Sequence, residues 1–362
     1  VESILKNMKN RKFTQLLLLS ASVLLLLFLQ SSFAKINKTD QKRTTHNSFV
    51  KTAPEFALSN ADKNIKADKN LILKSTDGGT TWQHISNTAP VMDQSALYYA
   101  GATGFYVQAK NALYSTNDYS QKMAWTKENI PGFVNQQPIP PTMIAFNNSG
   151  TVAFNYDGSM YTKQNGTNNW LPLYANFKRN ALRNVFETSG GVVFLSYDNG
   201  LYRSIDKGKS WQQVEKGRVI NIAESGGVLI ATGSDGIIRS TDNGKSWNLI
   251  INDGGAGIDV APYTGGFLAI SYDTAANSRR IRISKDYGET WQLIDKGLNP
   301  SPHIKSIIQI GNYLICGHPD GVLRSADEGK TWQLIYPGID KKVFSVYSSG
   351  TVLYAVAGIP GC

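Results

Sequence analysis

One eight-residue phrase, repeated at near-constant spacing, limits what this chain can fold into more than any other feature. It stands as Ser240-Thr241-Asp242-Asn243-Gly244-Lys245-Ser246-Trp247 and returns at residues 75–82, 204–211, 284–291 and 325–332. Two worn copies, 115–125 and 161–170, fill the interval between the first two of those four, the earlier one with an insertion. Each of the seven Trp residues closes one copy, and successive Trp lie 43, 45, 41, 36, 44 and 41 residues apart. That is the period of a repeated four-stranded unit rather than of a helical hairpin or a leucine-rich turn.

The residues between the copies read as strands. In the fourth repeat, 184–188 (NVFET), 191–197 (GVVFLSY), 201–204 (LYRS) and 211–214 (WQQV) are short β-patterned runs separated by Ser-Gly, Asp-Asn-Gly and the phrase itself. The fifth, sixth and seventh repeats follow the same order. The ends complete the count: only residues 71–74 and the strand after Trp82 belong to the first unit, while 343–347 and 351–356 are left over at the C-terminus. Pairing the two leftovers with the two N-terminal strands closes a ring and leaves no free edge. The expected fold is all-β, a seven-bladed β-propeller of four-stranded antiparallel blades spanning 69–362, closed by C-terminal strands pairing with N-terminal strands.

Within the phrase, Asp bonds nearby backbone N–H groups, Ser or Thr adds a local acceptor, and Gly supplies a positive φ. The Trp then opens the outer strand with a large apolar face. The five intact copies resemble the Asp-box, or bacterial neuraminidase repeat, S-x-D-x-G-x-[ST]-W. The resemblance implies a β-propeller with boxes at the blade periphery, away from any ligand. Asp77, Trp82, Asp206, Trp211, Asp242, Trp247, Asp286, Trp291, Asp327 and Trp332 are therefore expected to be structural, neither catalytic acids nor metal ligands.

Two box-bearing groups suggest different functions. Sialidases, of exo-alpha-sialidase type, require three Arg for the substrate carboxylate, a Tyr–Glu nucleophile pair and an Asp acid/base. Their first Arg lies in an Arg-Ile-Pro motif ahead of the first box. This chain has no such motif and no Arg between Arg43 and Arg179. The phrases GLYRSIDKGKSW, GIIRSTDNGKSW and GVLRSADEGKTW are more similar to the photosystem II stability and assembly factor family, whose members are non-enzymatic binders. That resemblance implies a binding or assembly scaffold without catalytic residues or cofactor. The Arg before the box Ser (Arg203, Arg239, Arg324; Arg282 one place earlier in blade six) is open to two uses, a basic patch or a bond between neighbouring blades. Its regular recurrence favours the second.

Propellers bind partners on the face opposite such boxes, around the channel, through the second-to-third strand turns and the links between blades. The longest links there are 86–94, 128–142, 174–183, 252–259 and 296–305. Arg179, Arg183, Arg218, Arg279, Arg280, His303 and His318 are the candidate contacts for a protein or carbohydrate partner. The two His read as surface-turn residues, since neither has ligand spacing beyond Asp320; no metal is expected.

The N-terminus adds a location. Lys9, Arg11 and Lys12 precede an apolar run at 16–29, and Ser32-Phe33-Ala34 fits a cleavage site. Residues 1–34 are expected to be a signal peptide and 35–68 a polar linker, the mature chain being periplasmic or secreted without stable membrane insertion. An uncleaved anchor is the alternative. Removing 1–34 takes four basic residues and one acidic, lowering the net charge from +10 to +7. That is too diffuse to point to nucleic acid. Cys316 and Cys362 are the only two Cys, so no disulfide framework is expected. Cys316 is expected to pack as a small apolar residue in a strand, a single bridge to Cys362 being the alternative, and the protein to be a monomer.

Overall fold

The computed structural model describes residues 71–359 apart from 90–95, 110–111, 118–119, 121–122, 132–141, 165–166, 178, 180 and 340. The signal, linker and Cys362 expectations lie outside the described residues. The 28 strands form seven four-stranded antiparallel sheets, with one 3-10 turn, Ala175–Phe177, as the sole helical element among the described residues. Blades 2 to 7 begin with the strands Leu97–Gly101, Met143–Asn147, Leu182–Glu187, Val219–Ser225, Gly254–Tyr263 and Ser306–Ile310. These first strands touch one another in sequence around the ring and so surround its axis. Blade 1 is composite, in the order Val343–Ser349, Val352–Gly358, Leu71–Ser75 and Gln83–His84. Its closing register runs from Leu71 opposite Ala357 to Ser75 opposite Leu353. The ring closes as the leftover strands required.

The second strand of each blade is covered on both sides, which is why it reads as an unbroken apolar run: Val193–Tyr197 and Gly104–Ala109 are buried at every position. The described residues do not share a single core. Seven apolar clusters lie one in each seam between neighbouring blades, for example Ile281, Ile294, Ile307, Leu323 and Trp332 between blades 6 and 7. The predicted link 252–259 is mostly strand instead. Gly254, with φ 76, starts an irregular pairing that shifts register twice before Asp259, and such bulges let a Gly-rich stretch continue a ladder.

The box is a self-contained hydrogen-bonded loop. Ser240 Oγ donates to Asp242 Oδ1 (2.7 Å) and accepts from the Gly244 N–H (2.9 Å). The Asp242 carboxylate also accepts from the Ser246 N–H (3.0 Å) and hydroxyl (2.7 Å). The other four intact copies repeat these bonds. Bonds from the Ser210 hydroxyl and amide hold Asp206 down to about 2, and those from Thr290 do the same for Asp286. Each carboxylate is occupied by its own loop.

The box also joins blades. Its Gly faces a large side chain of the preceding blade: a Cβ on Gly244 would lie 2.2 Å from Phe194, on Gly288 2.7 Å from Ile230, on Gly329 2.6 Å from Ile294, and on Gly79 2.4 Å from Ile335. The indole N–H of Trp82 donates to Ile335 O (3.1 Å) and that of Trp332 to Ile294 O (2.7 Å), again one blade back. Trp211 packs on Phe177, with ring centroids 5.1 Å apart. In the other direction, Arg203, Arg239 and Arg324 donate to the carbonyls of Asn243, Tyr287 and Gly78 in the next box, at 2.7, 3.0 and 3.1 Å. The recurrent Arg is thus a brace between blades. Arg282, on the alternate face of its strand, pairs with Asp253 (2.9 Å).

Gly244→Ala combines a left-handed backbone with a clash against Phe194, whereas Gly227→Ala has the backbone cost alone, since a Cβ there meets nothing within 4 Å. Urea denaturation is expected to show a loss of about 1–2 kcal/mol for Gly227→Ala and about 1–3 kcal/mol more for Gly244→Ala.

Candidate functional site

Away from the boxes, the second-to-third turns and the inter-blade links bring the candidate residues into two groups. In the first, Arg183 donates to both oxygens of Asp198 (2.8 and 3.0 Å) and lies over the Tyr156 ring, 4.7 Å from its centroid. Arg218 approaches the same carboxylate at 3.5 Å and the Tyr156 hydroxyl donates to it at 3.1 Å. The Arg183 hydrogen bonds hold the Asp198 carboxyl below its usual range. Blades 3, 4 and 5 thus share one cluster of two cations, one anion and an aromatic ring. Arg179 stands apart from it, donating to Tyr202 OH (3.0 Å) and stacked between Phe177 and Tyr202.

The second group surrounds a cleft of about 550 Å³ between the second-to-third hairpin of blade 6 and the link to blade 7. Its walls combine Arg279, Arg280 and Lys296 with Leu293, Leu298 and Ile304. Arg280 is held by Asp295 (2.6 Å) and Asp273 (3.5 Å). Arg279 donates from Nη1 to Ile304 O (2.7 Å), while its Nε is buried without an acceptor among the described residues. Burial pushes the Arg279 guanidinium down, and burial plus the nearby Arg279 charge pushes Lys305 down. Two cations therefore sit close together in a partly desolvated place.

Of the two His, His318 departs from the surface-turn expectation, while His303 lies in a turn as expected. His318 is 1% exposed: Nδ1 accepts from the Asp320 N–H (3.1 Å) and Nε2 bonds to Asn299 O (3.0 Å). It ties the blade 7 turn to the preceding link and has no ring nitrogen left for a partner. His303 is half-buried, and its Nδ1 has no partner among the described residues. No group of three or more His, Cys, Asp or Glu among the described residues could hold a metal. Cys316 is a free, fully buried thiol in the second strand of blade 7.

One polar feature escaped the sequence reading. Asn184 donates to Ile220 O (3.3 Å), Asn221 donates to Asp259 Oδ1 (3.0 Å), and Asp259 accepts from the Val260 N–H (3.0 Å). This chain crosses the first strands of blades 4, 5 and 6, and in each a bulge immediately precedes the polar residue. The signal was available in the parallel placement of Asn184-Val185, Asn221-Ile222 and Asp259-Val260 in successive repeats. Asp259 is half-buried on the first strand of blade 6. Desolvation pushes its carboxyl up to about 6, against the bonds from Asn221 and Val260 and the Arg279 charge. Burial, helped by Asp259, pushes Tyr347 up to about 12.

Comparison with known proteins gives the following. The family described as the DUF6242 beta-propeller domain matches residues 121–256, less than half of the chain. No curated protein sequence matches significantly. Among solved structures, YCF48 bound to D1 peptide is 15% identical, covering 79% of this chain and 86% of that one, with a TM-score of 0.50. A catalytically inactive virginiamycin B lyase from Staphylococcus aureus, solved with quinupristin, is 14% identical, covering 75% and 98%, with a TM-score of 0.51. YCF48 from Cyanidioschyzon merolae is 12% identical, covering 75% and 97%, with a TM-score of 0.49. At these identities the likeness is one of fold.

Asp259 binds a proton in the native state between about pH 4, where it titrates unfolded, and about pH 6. Its contribution to stability is present at low pH and lost as pH rises through about 6. Asp259→Asn is therefore expected to match the wild type in thermal melts below about pH 4 and to exceed it increasingly toward pH 7.

Proposed function

We propose that this chain is an exported, non-catalytic propeller that holds a segment of a protein partner in the cleft between blades 6 and 7, on the face opposite the boxes. The observation that carries this reading is the cleft's composition: exposed Leu293 beside Lys296 and Arg280, above an Arg279 whose Nε lacks an acceptor. An apolar wall with convergent donors suits an extended segment bearing an acidic group, the donors fixing orientation and the Leu side chains adding buried area. The pairing of Arg280 with Asp273 and Asp295 favours a partner that reads shape as well as charge, since those acids offset part of the positive field. YCF48, a propeller of similar fold, has been solved with a peptide bound. The apolar run at 16–29 after Lys9, Arg11 and Lys12 supports export of the mature domain.

A photo-cross-linking residue placed at Leu298, in the cleft, and another at Ile205, on a box loop and 69% exposed, separate the two faces. The expected result in an envelope fraction is a discrete protein adduct from Leu298, suppressed by Lys296→Glu, and none from Ile205. Equal adducts at both positions, or none at either, would contradict the proposal. So would fluorophore release from a sialoside by the purified protein.

A further inference from the structure

Repetition provides an internal control for every seam, and one seam departs from the rest. The residue three places after each Trp is Ile85, Leu173, Val214, Ile250, Ile294 and Ile335 in six blades, and Glu128 in blade 2. In two of the intact seams this very residue of the preceding blade presents apolar bulk to the next box, Ile294 against Gly329 and Ile335 against Gly79, and in the others a neighbouring Phe194, Ile230 or Tyr174 does so. At the seam between blades 2 and 3 both boxes are worn. Lys163 stands where blade 3 should carry the box Asp, Asn117 where blade 2 should, and Tyr161 replaces the Ser of blade 3. The apolar plug and the box acid have been exchanged for an ion pair.

The pair is well built. The Glu128 side chain is 3% exposed, and its Oε1 lies 2.7 Å from Lys163 Nζ. Ser115 Oγ donates to the same oxygen (2.5 Å) and the Trp170 indole N–H to Oε2 (2.9 Å). Trp170 thus makes the bond to the preceding blade seen at Trp82 and Trp332, but directs it to a carboxylate instead of a backbone carbonyl. Replacing a packed Ile by a buried ion pair brings a desolvation cost that a scaffold alone has no reason to carry. Above the pair opens a cleft of about 380 Å³, within the range of small-molecule sites, roughly 300–1,000 Å³.

The lining identifies the chemistry. Around the rim are Asn117, Gln164 and Asn168, whose side-chain amides bond no described residue, together with the exposed Thr126. Amides and hydroxyls present donors and acceptors side by side, and the ion pair adds further ammonium donors and carboxylate lone pairs at the floor. An apolar ligand would leave these groups desolvated and unpaired. An anion would meet the Glu128 carboxylate at the floor, with Lys163 already bonded to it. A ligand whose every group both donates and accepts satisfies the lining. We propose that the seam between blades 2 and 3 is a binding site for a neutral carbohydrate, on the box face and separate from the cleft between blades 6 and 7.

The other seams prescribe the decisive variant. Glu128→Ile with Lys163→Met refills the seam as its counterparts are filled, so the fold is expected to be retained, with a melting temperature equal to or above that of the wild type. Calorimetric and saturation-transfer NMR titrations would use maltotriose, cellotriose, mannotriose and triacetylchitotriose. The expected result is binding of at least one, with Kd in the micromolar to millimolar range, weakened at least tenfold in the refilled variant. Should that variant fail to fold, Asn168→Ala on the exposed rim is expected to weaken the same sugar several-fold with an unchanged melt. Absence of binding by all four sugars, or undiminished binding in the folded variants, would overturn the proposal.

Discussion

The five intact seams of this ring share one contact, the insertion of a side chain from one blade against the box Gly of the next. A blade is thin, and its second strand is apolar on both faces, so it gains little by folding alone. Burial comes in the seams, where Phe194, Ile230, Ile294 and Ile335 each occupy space that only a Gly leaves open. The carboxylate of the box hydrogen-bonds within its own loop. It fixes the loop that carries the Gly, and the left-handed pair at Asn243 and Gly244 shows how tightly that loop must turn. Stability in such a ring is a sum over neighbouring pairs, which the Arg braces and indole bonds reinforce from both directions.

Much of this was legible in the sequence because turn chemistry is local. Ser, Asp, Gly and Trp within eight residues specify the loop, and counting the loops specifies the blades and the composite first blade. What the sequence hid was long-range. Arg183 and Arg280 read as a basic face, but Asp198 and Asp295 reach them from fifteen residues further along the chain, across a hairpin in each case. His318 read as a surface turn because nothing local reveals that Asn299, nineteen residues earlier, closes over its Nε2. The Asn184–Asn221–Asp259 chain depends on bulges, which shift side chains without leaving a composition signal. Glu128 looked like the start of a long link. Only alignment of the repeats places it where six apolar residues stand.

The two faces consequently have different characters. On the box-free side, polar groups from blades 3 to 7 gather in two clusters and the cations are largely held by acids or carbonyls, which keeps them ordered before any partner arrives. On the box side, five intact boxes use their polar groups internally. Function can enter there only where the repeat has decayed, and it has decayed in two adjacent blades, so one seam lost its plug and gained a polar cleft. Regularity elsewhere makes that loss affordable, because a closed ring distributes strain over the remaining seams.

Hydrogen–deuterium exchange across the seams tests this account most directly. If the box Gly contact and its apolar plug hold successive blades together, the strands flanking the worn seam, Gly104–Ala109 and Gly150–Phe154, exchange measurably faster than the corresponding strands Gly266–Asp273 and Tyr313–His318 beside the intact seam. Protection that is uniform around the ring, or higher in blades 2 and 3 than in blades 6 and 7, would contradict it.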